Sequence, residues 1–322
     1  MLKTKSWYPW LVVALLWGVA LLNYMDRQML STMQSAITDD IHELENAENF
    51  GRLMAVFLWI YGLMSPMAGL IADRINRKWL IITSLGVWSF VTLTMGFATS
   101  FNQLYVLRAI MGISEALYIP AGLALIADYH RGNTRSLAVG IHMTGLYVGQ
   151  ALGGFGATVA HTWSWQTAFQ SFGLIGVLYS VVLVFFLSEK RVVAESPVQK
   201  GTFKSGLRSI KHSLGLLLGT ISFWVILFYF AVPSFPGWAI KNWLPTLFSD
   251  TLGIDMSKAG PLSTFTIAFS SFAGASITSW LGKSTDAGHL GRDMGLLAIP
   301  VAIALTLFLV MLKPKVADRV ED

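Results

Sequence analysis

The sequence predicts an all-α integral membrane protein, and three observations carry the prediction. Of the 322 residues, 54% are hydrophobic and only 13% charged, where a soluble domain carries about 25% charged residues. The apolar residues gather into runs of about 20, the length that crosses a bilayer as a helix, and none shows the strand-period alternation of a β-barrel. The short loops between runs alternate between basic and non-basic, as the positive-inside rule describes. This composition excludes an ordinary soluble enzyme. Cysteine is absent, which removes disulfides, thiolate metal sites and a Cys nucleophile. The net charge of +5 does not point to nucleic acid, because the basic residues cluster in short loops. The partner it implies is the lipid bilayer, and the 12 Trp and 20 Phe fit aromatic belts at its interfaces.

Spans are expected at 7–32, 52–73, 78–98, 103–128, 134–160, 166–187, 214–248, 260–282 and 293–312. Lys3 and Lys5 precede the first without a small-residue cleavage site, so it reads as a signal anchor with a cytoplasmic N-terminus. The loop after it is acidic (Asp39, Asp40, Glu43, Glu45, Glu48) and the next is basic (Arg74, Arg77, Lys78). The third is neutral, the fourth carries His130, Arg131 and Arg135, and the fifth surrounds Trp163 and Trp165. The sixth, rich in Lys and Arg, is read as a cytoplasmic linker over 188–212 whose 202–212 part forms a surface helix. It separates a six-helix bundle at 1–187 from a partial bundle at 213–322. In the long seventh run, Pro233, Pro236 and Gly237 are expected to break the helix, as the discontinuous helices of transporters are broken. The basic tail (Lys313, Lys315, Arg319) follows a span end that should lie outside, which leaves three readings: a ninth helix with a modestly basic outer tail, a miscounted helix near 214–248, or an odd number of helices missing before residue 293.

Charged residues inside the first span are the sharpest functional signal. Asn23, Tyr24, Asp26, Arg27 and Gln28 interrupt its apolar run. Each charge at membrane depth costs about 2.5–3.5 kcal/mol on insertion scales, so such groups are paired or line a wet cavity. Gly145, Gly149, Gly153 and Gly154 form a small-residue stripe that reads as close helix packing. No phosphate loop, zinc-spaced His pair or nucleophile triad is present, and no cofactor or metal is expected.

Residues Gly69-Leu-Ile-Ala-Asp73-Arg74-Ile-Asn76-Arg77-Lys78 resemble the signature of the major facilitator superfamily, with Asn76 in place of a glycine. Arg108-x-x-x-Gly112-x-x-Glu115-Ala116, Gly145-x-x-x-Gly149-Gln150-x-x-Gly153-Gly154 and Trp163-Ser-Trp165-x-x-Ala168-Phe169 are similar to its fourth, fifth and sixth helices. Asn23-Tyr-Met-Asp-Arg27 and Asn242-Trp-Leu-Pro-Thr246 resemble its anion:cation symporter branch. The resemblance covers about residues 7–286, where Asp286 looks like a remnant of the second signature copy. It implies two six-helix bundles, here complete in the first half and incomplete in the second; a monomer is expected, and the short loops without a glycosylation-rich external region point to a bacterial inner membrane.

What the resemblance implies for chemistry can be assigned residue by residue. Asp26 and Glu115 match positions linked to proton coupling; the plain alternative is a structural ion pair with Arg27 or Arg108. Arg27 is the candidate for binding an anion, because a guanidinium grips a carboxylate bidentately and stays charged through a proton cycle. Tyr24, Tyr61, Tyr118, Tyr147 and Gln150 are polar tips that can meet substrate hydroxyls, although packing with a satisfied hydroxyl explains each tyrosine taken singly. Trp238 and Asn242 are the second half's contribution. Asp73, Arg74, Arg77 and Asp128 form a charge latch at the basic end, and Arg108 is a gating or packing residue. Three functions follow as expectations: a proton-coupled symporter for a sugar acid such as a hexuronate or aldonate, a lipid transporter resembling the spinster proteins, or a shortened paralogue that does not transport.

Overall fold

A computed structural model describes residues 6–132, 134–189, 215–216 and 218–284, with side chains through residue 270 apart from 230 and 233. The architecture is helical, with no strand among the described residues. In order come α1 (Tyr8–Thr32), α2 (Gln34–Asp40), a 3-10 turn (His42–Leu44), α3 (Ala47–Arg74), α4 (Arg77–Met95), α5 (Phe101–Ala116), α6 (Tyr118–Tyr129), α7 (Thr134–Gly153), α8 (Gly156–Thr162) and α9 (Trp165–Phe186). Two long helices follow, α10 (Ile221–Leu252) and α11 (Met256–Ser284). Among the described residues, six helical stretches are long and apolar enough to span a bilayer: α1, α3, α4, α5 with α6, α9 and α10. The expected all-α membrane architecture is therefore borne out. The expected 202–212 helix, the span over 293–312 and Asp286 lie outside the described residues.

Local sequence explains most helix ends. Asn46 caps α3 by accepting from Glu48 N, Asn76 caps α4 by accepting from Trp79 N, and Ser164 caps α9 by accepting from Thr167 N, which satisfies orphan donors at each start. The expected fourth span is one crossing made of two helices. The break falls at Leu117, because Pro120 lacks an N–H and its ring crowds the carbonyl of Ala116, four residues earlier. Gly253, at φ +61, closes α10 in the left-handed geometry that glycine adopts without steric cost.

One expectation is corrected. α10 runs as a continuous α-helix through Pro233, Pro236 and Gly237, where a break was expected. Each proline removes one donor, but hydrocarbon offers no alternative partner for the rest of the backbone. Staying helical keeps every other bond, and this is how spanning helices tolerate proline.

Residues up to Ala268 form one compact unit, with α1 at its centre. The second half of α1 is buried around its whole circumference, including Asn23, Asp26, Arg27, Gln28, Ser31 and Thr32, the pattern of a helix enclosed by others. The glycine stripe of α7 lies directly on it. A Cβ at Gly145 would meet Trp17 O at 2.7 Å, one at Gly149 would overlap Leu21 O, and one at Gly153 would meet Met25 O at 2.9 Å. Thr32 Oγ1 donates to Gly153 O across the same seam at 3.1 Å. The next glycine, Gly154, faces α11, against Thr264 and Pro261. The acidic loop after α1 is bound into the end of the bundle. Asp40 accepts from Trp165 Nε1 and Gln166 Nε2 at 2.7 Å each, and Glu43 accepts from Phe101 N at 2.7 Å.

Candidate functional site

The central site is built on two adjacent residues of α1 that face different neighbours. Arg27 Nε donates to Glu115 Oε2 of α5 at 2.6 Å, with the Glu115 side chain fully buried and Arg27 nearly so. Asp26, one residue earlier, is turned toward α4, where Thr92 Oγ1 donates to its Oδ2 at 3.2 Å. Adjacent helix residues project in different directions, so the two neighbouring charges serve different helices instead of neutralising one another.

Aromatic rings complete the setting. The Arg27 guanidinium carbon lies 4.9 Å from the centroid of Tyr24, 5.0 Å from Phe57 and 4.6 Å from Tyr61. Arg108, buried on α5, stacks on Phe57 at 4.6 Å and donates to Met111 Sδ at 3.4 Å. Phe57 of α3 thus takes a cation contact from each guanidinium, and such contacts are worth about 2 kcal/mol or more when desolvated. Two carboxyls and two guanidiniums are collected inside one apolar bundle.

Beside this cluster a small cavity of about 20 Å³ is lined by Tyr24, Arg27, Gln28, Gln150, Trp238, Lys241 and Asn242. Five of the residues expected from sequence to bind substrate meet there: Arg27, Tyr24, Gln150, Trp238 and Asn242. Two of its lining residues carry a polar atom with no partner: among the described residues, Gln150 Nε2 and Arg27 Nη2 are buried without a hydrogen-bond partner. The helix α10 closes the cavity against α1, where Gln28 Nε2 donates to Lys241 O at 3.2 Å and Thr246 Oγ1 donates to Gln34 Oε1 at 2.8 Å.

Other expected residues lie elsewhere. Tyr118 is fully buried and its hydroxyl donates to Leu16 O at 2.7 Å, the satisfied packing role open to any buried tyrosine. Tyr61 stacks on Arg27, behind the cavity wall, and Tyr147 is exposed on α7 and does not line the cavity. At the basic end, Arg77 Nη1 pairs with Asp128 Oδ2, while Asp73 and Arg74 are exposed. The latch therefore ties the α3–α4 loop to the end of α6, and Asp73 stands apart from it. Glu189 joins the tie by accepting from the Asn76 side chain and from Arg77 N.

Sequence reading missed Phe57, Thr92 and Lys241, and it named Gln28 only as an interruption of the apolar run. Lys241 carried a usable signal, being a lone charge within a long apolar run. Thr92 and Phe57 carried none, since hydroxyls and phenyl rings are ordinary in spanning helices.

A family model described as Major Facilitator Superfamily matches residues 16–317. Among curated proteins, the chain is 25% identical over 283 residues to the Uncharacterized transporter YybO of Bacillus subtilis (strain 168), covering 84% of this chain and 64% of that protein. It is 27% identical over 299 residues to the D-galactonate transporter of Escherichia coli O6:H1, covering 84% and 66%, and 30% identical over 247 residues to Protein spinster homolog 1 of Xenopus tropicalis, covering 73% and 45%. The chain thus spans two thirds or less of the length of these relatives. Among solved structures, the inward-facing, occupied form of a bacterial homolog to the human lysosomal transporter Spinster aligns with TM-score 0.71 at 22% identity, covering 88% of this chain and 63% of that one. A D-xylose-proton symporter aligns with TM-score 0.64 at 17% identity, covering 92% and 75%. At such identities the two structures speak to the fold alone.

Proposed function

The chain belongs to the Major Facilitator Superfamily, and from that premise we propose that it is a secondary transporter, and not an enzyme, that moves a small organic anion with protons by alternating access. The anion is a sugar acid of the hexuronate or aldonate class. The observation that carries the reading is the meeting of Arg27 with Tyr24, Gln28, Gln150 and Asn242 around one cavity. A cation with unused donor capacity, set among amide and phenol groups, matches a carboxylate on a polyhydroxylated body. Relatives named as galactonate and galacturonate transporters agree with it.

Asp26 and Glu115 are the proton sites in this reading. Glu115 holds Arg27 while ionised, so proton uptake there weakens the ion pair and couples the proton to the guanidinium that meets the anion. The helices of the 1–187 bundle rock as one against the part expected from 213 onward, joined by the 188–212 linker expected from sequence. The protein lies in a bacterial inner membrane as a monomer, N-terminus in the cytoplasm, with the Arg77–Asp128 tie at the cytoplasmic end acting in gating.

A second reading, a lipid transporter like the spinster proteins, rests on the run Gly112 to Tyr118 and on the spinster relatives. The charged and amide side chains among the cavity's lining residues, Arg27, Lys241, Gln28, Gln150 and Asn242, support the sugar acid over it. The test is uptake of a labelled hexuronate and aldonate panel into proteoliposomes under a pH gradient, with Asp26→Asn, Glu115→Gln and Arg27→Ala alongside. Gradient-dependent uptake, lost in all three variants, supports the proposal. Absence of uptake by folded protein across the panel refutes it and leaves the lipid or non-transporting alternatives.

A further inference from the structure

Lys241 stands in the cavity with a charge that the mechanism above does not use. It lies on α10 at the depth of Gln28, whose amide donates to its carbonyl. Its ammonium is 5.8 Å from the Trp238 ring centroid, and among the described residues no carboxylate lies within ion-pair distance of it. A half-buried lysine in a spanning helix is costly without a counter-ion, and a counter-ion from outside the protein meets that need.

The charged and titratable groups around the site are few. From α1 come Tyr24, Asp26 and Arg27, from α3 Tyr61, from α5 Arg108 and Glu115, and from α7 Tyr147; from α10 itself comes Lys241 alone. With both carboxyls ionised, Asp26 and Glu115 cancel Arg27 and Arg108. The positive charge left over at the cavity is that of Lys241, which lines it together with Arg27.

We infer that Lys241 is the anion's anchor on the second half of the chain: the substrate carboxylate sits between its ammonium and the Arg27 guanidinium, which fits the site to a hydroxylated monoanion and lets it load before a proton does. This rests on the sugar-acid reading and deepens it. The carboxylate then joins α1 to α10 through charge, so an occupied cavity holds the two walls together more firmly than an empty one. Without Lys241, the ionised cluster carries no net charge, and an anion is favoured only once a carboxyl has taken a proton.

The test is equilibrium binding of D-galactonate and D-galacturonate to the purified full chain, read by fluorescence of Trp238 and its neighbours between pH 5.5 and 8.5. Three proteins are compared: wild type, Lys241→Gln and Lys241→Arg. Lys241→Gln is expected to weaken binding by roughly tenfold or more at pH 8.5, as for loss of a charged hydrogen bond, and by less at pH 5.5. Lys241→Arg restores affinity and the flat pH profile. If wild type binds while Lys241→Gln matches it in affinity and pH profile, the inference is overturned and the sugar-acid reading stands. Loss of binding in a folded Lys241→Arg protein also overturns it, since a purely electrostatic anchor accepts either cation; that variant decides the matter should the glutamine protein fail to fold. If wild type binds neither anion, both readings fall together.

Discussion

Glu115→Ala should destabilise the protein by about 3–5 kcal/mol, the usual result of removing one partner from a buried pair. The carboxylate lies 2.6 Å from Arg27 Nε, with Glu115 wholly buried and Arg27 92% so. At that distance and an effective dielectric of about 20, the Coulomb attraction is about 6 kcal/mol. Deleting Glu115 forfeits this and leaves a guanidinium facing Tyr24, Phe57 and Tyr61, whose cation–π contacts are already made with the pair intact and do not replace the carboxylate. The cost therefore belongs chiefly to a stranded cation. It follows that removing both charges costs less than removing one: Arg27→Met with Glu115→Leu should recover most of the loss, because an apolar pair of similar volume has no desolvation penalty. The assay is reversible unfolding by SDS titration in mixed micelles for the wild type, both single variants and the double variant. A cost below about 1 kcal/mol for Glu115→Ala, or a double variant no more stable than that single one, refutes the reasoning.

Three further outcomes follow. Gly149→Val should collapse folding yield in membranes while Gly140→Val, where a Cβ meets nothing within 4 Å, leaves it near wild type; size-exclusion profiles decide, since the valine at 149 must displace the α1 backbone at Leu21. Exchanging Arg77 and Asp128 should restore most of the roughly 1 kcal/mol lost in either single reversal, because the two are partly exposed partners; a double-mutant cycle by the same SDS titration measures it. Asp255 caps the start of α11 by accepting from Ser257 N at 2.7 Å, and bonding to Ser257 holds its carboxyl below the usual 3.8. A depressed folded value stabilises above the unfolded value and is lost as pH falls through the folded one. Asp255→Ala should thus differ from wild type in melting temperature at pH 6, and the difference should shrink as pH drops below about 4; a constant difference contradicts the cap.

Spanning class and helix positions were legible because they depend on local composition: a run of about 20 apolar residues has no other way to satisfy its backbone in lipid. The break at Leu117 was legible in principle from Pro120, for the same local reason. Pro233 and Pro236 misled, since a proline's local preference for a break yields to the loss of every other bond a broken helix would suffer in hydrocarbon. The glycine stripe announced a close contact, and the structure supplied its partner, the backbone of α1.

The sequence by itself determined that Asp26, Arg27, Arg108 and Glu115 had to find company inside the bundle, because an isolated charge there is too costly to persist. Only the tertiary structure decided who keeps company with whom. Arg27 reaches Glu115, 88 positions along the chain, Asp26 turns to Thr92, Arg77 chooses Asp128 over the nearer Asp73, and Lys241 arrives at the cavity that Arg27 also lines. Such pairings depend on helix rotation and on which faces pack, and these are set by the summed contacts of every neighbouring helix; no local stretch of sequence contains that sum.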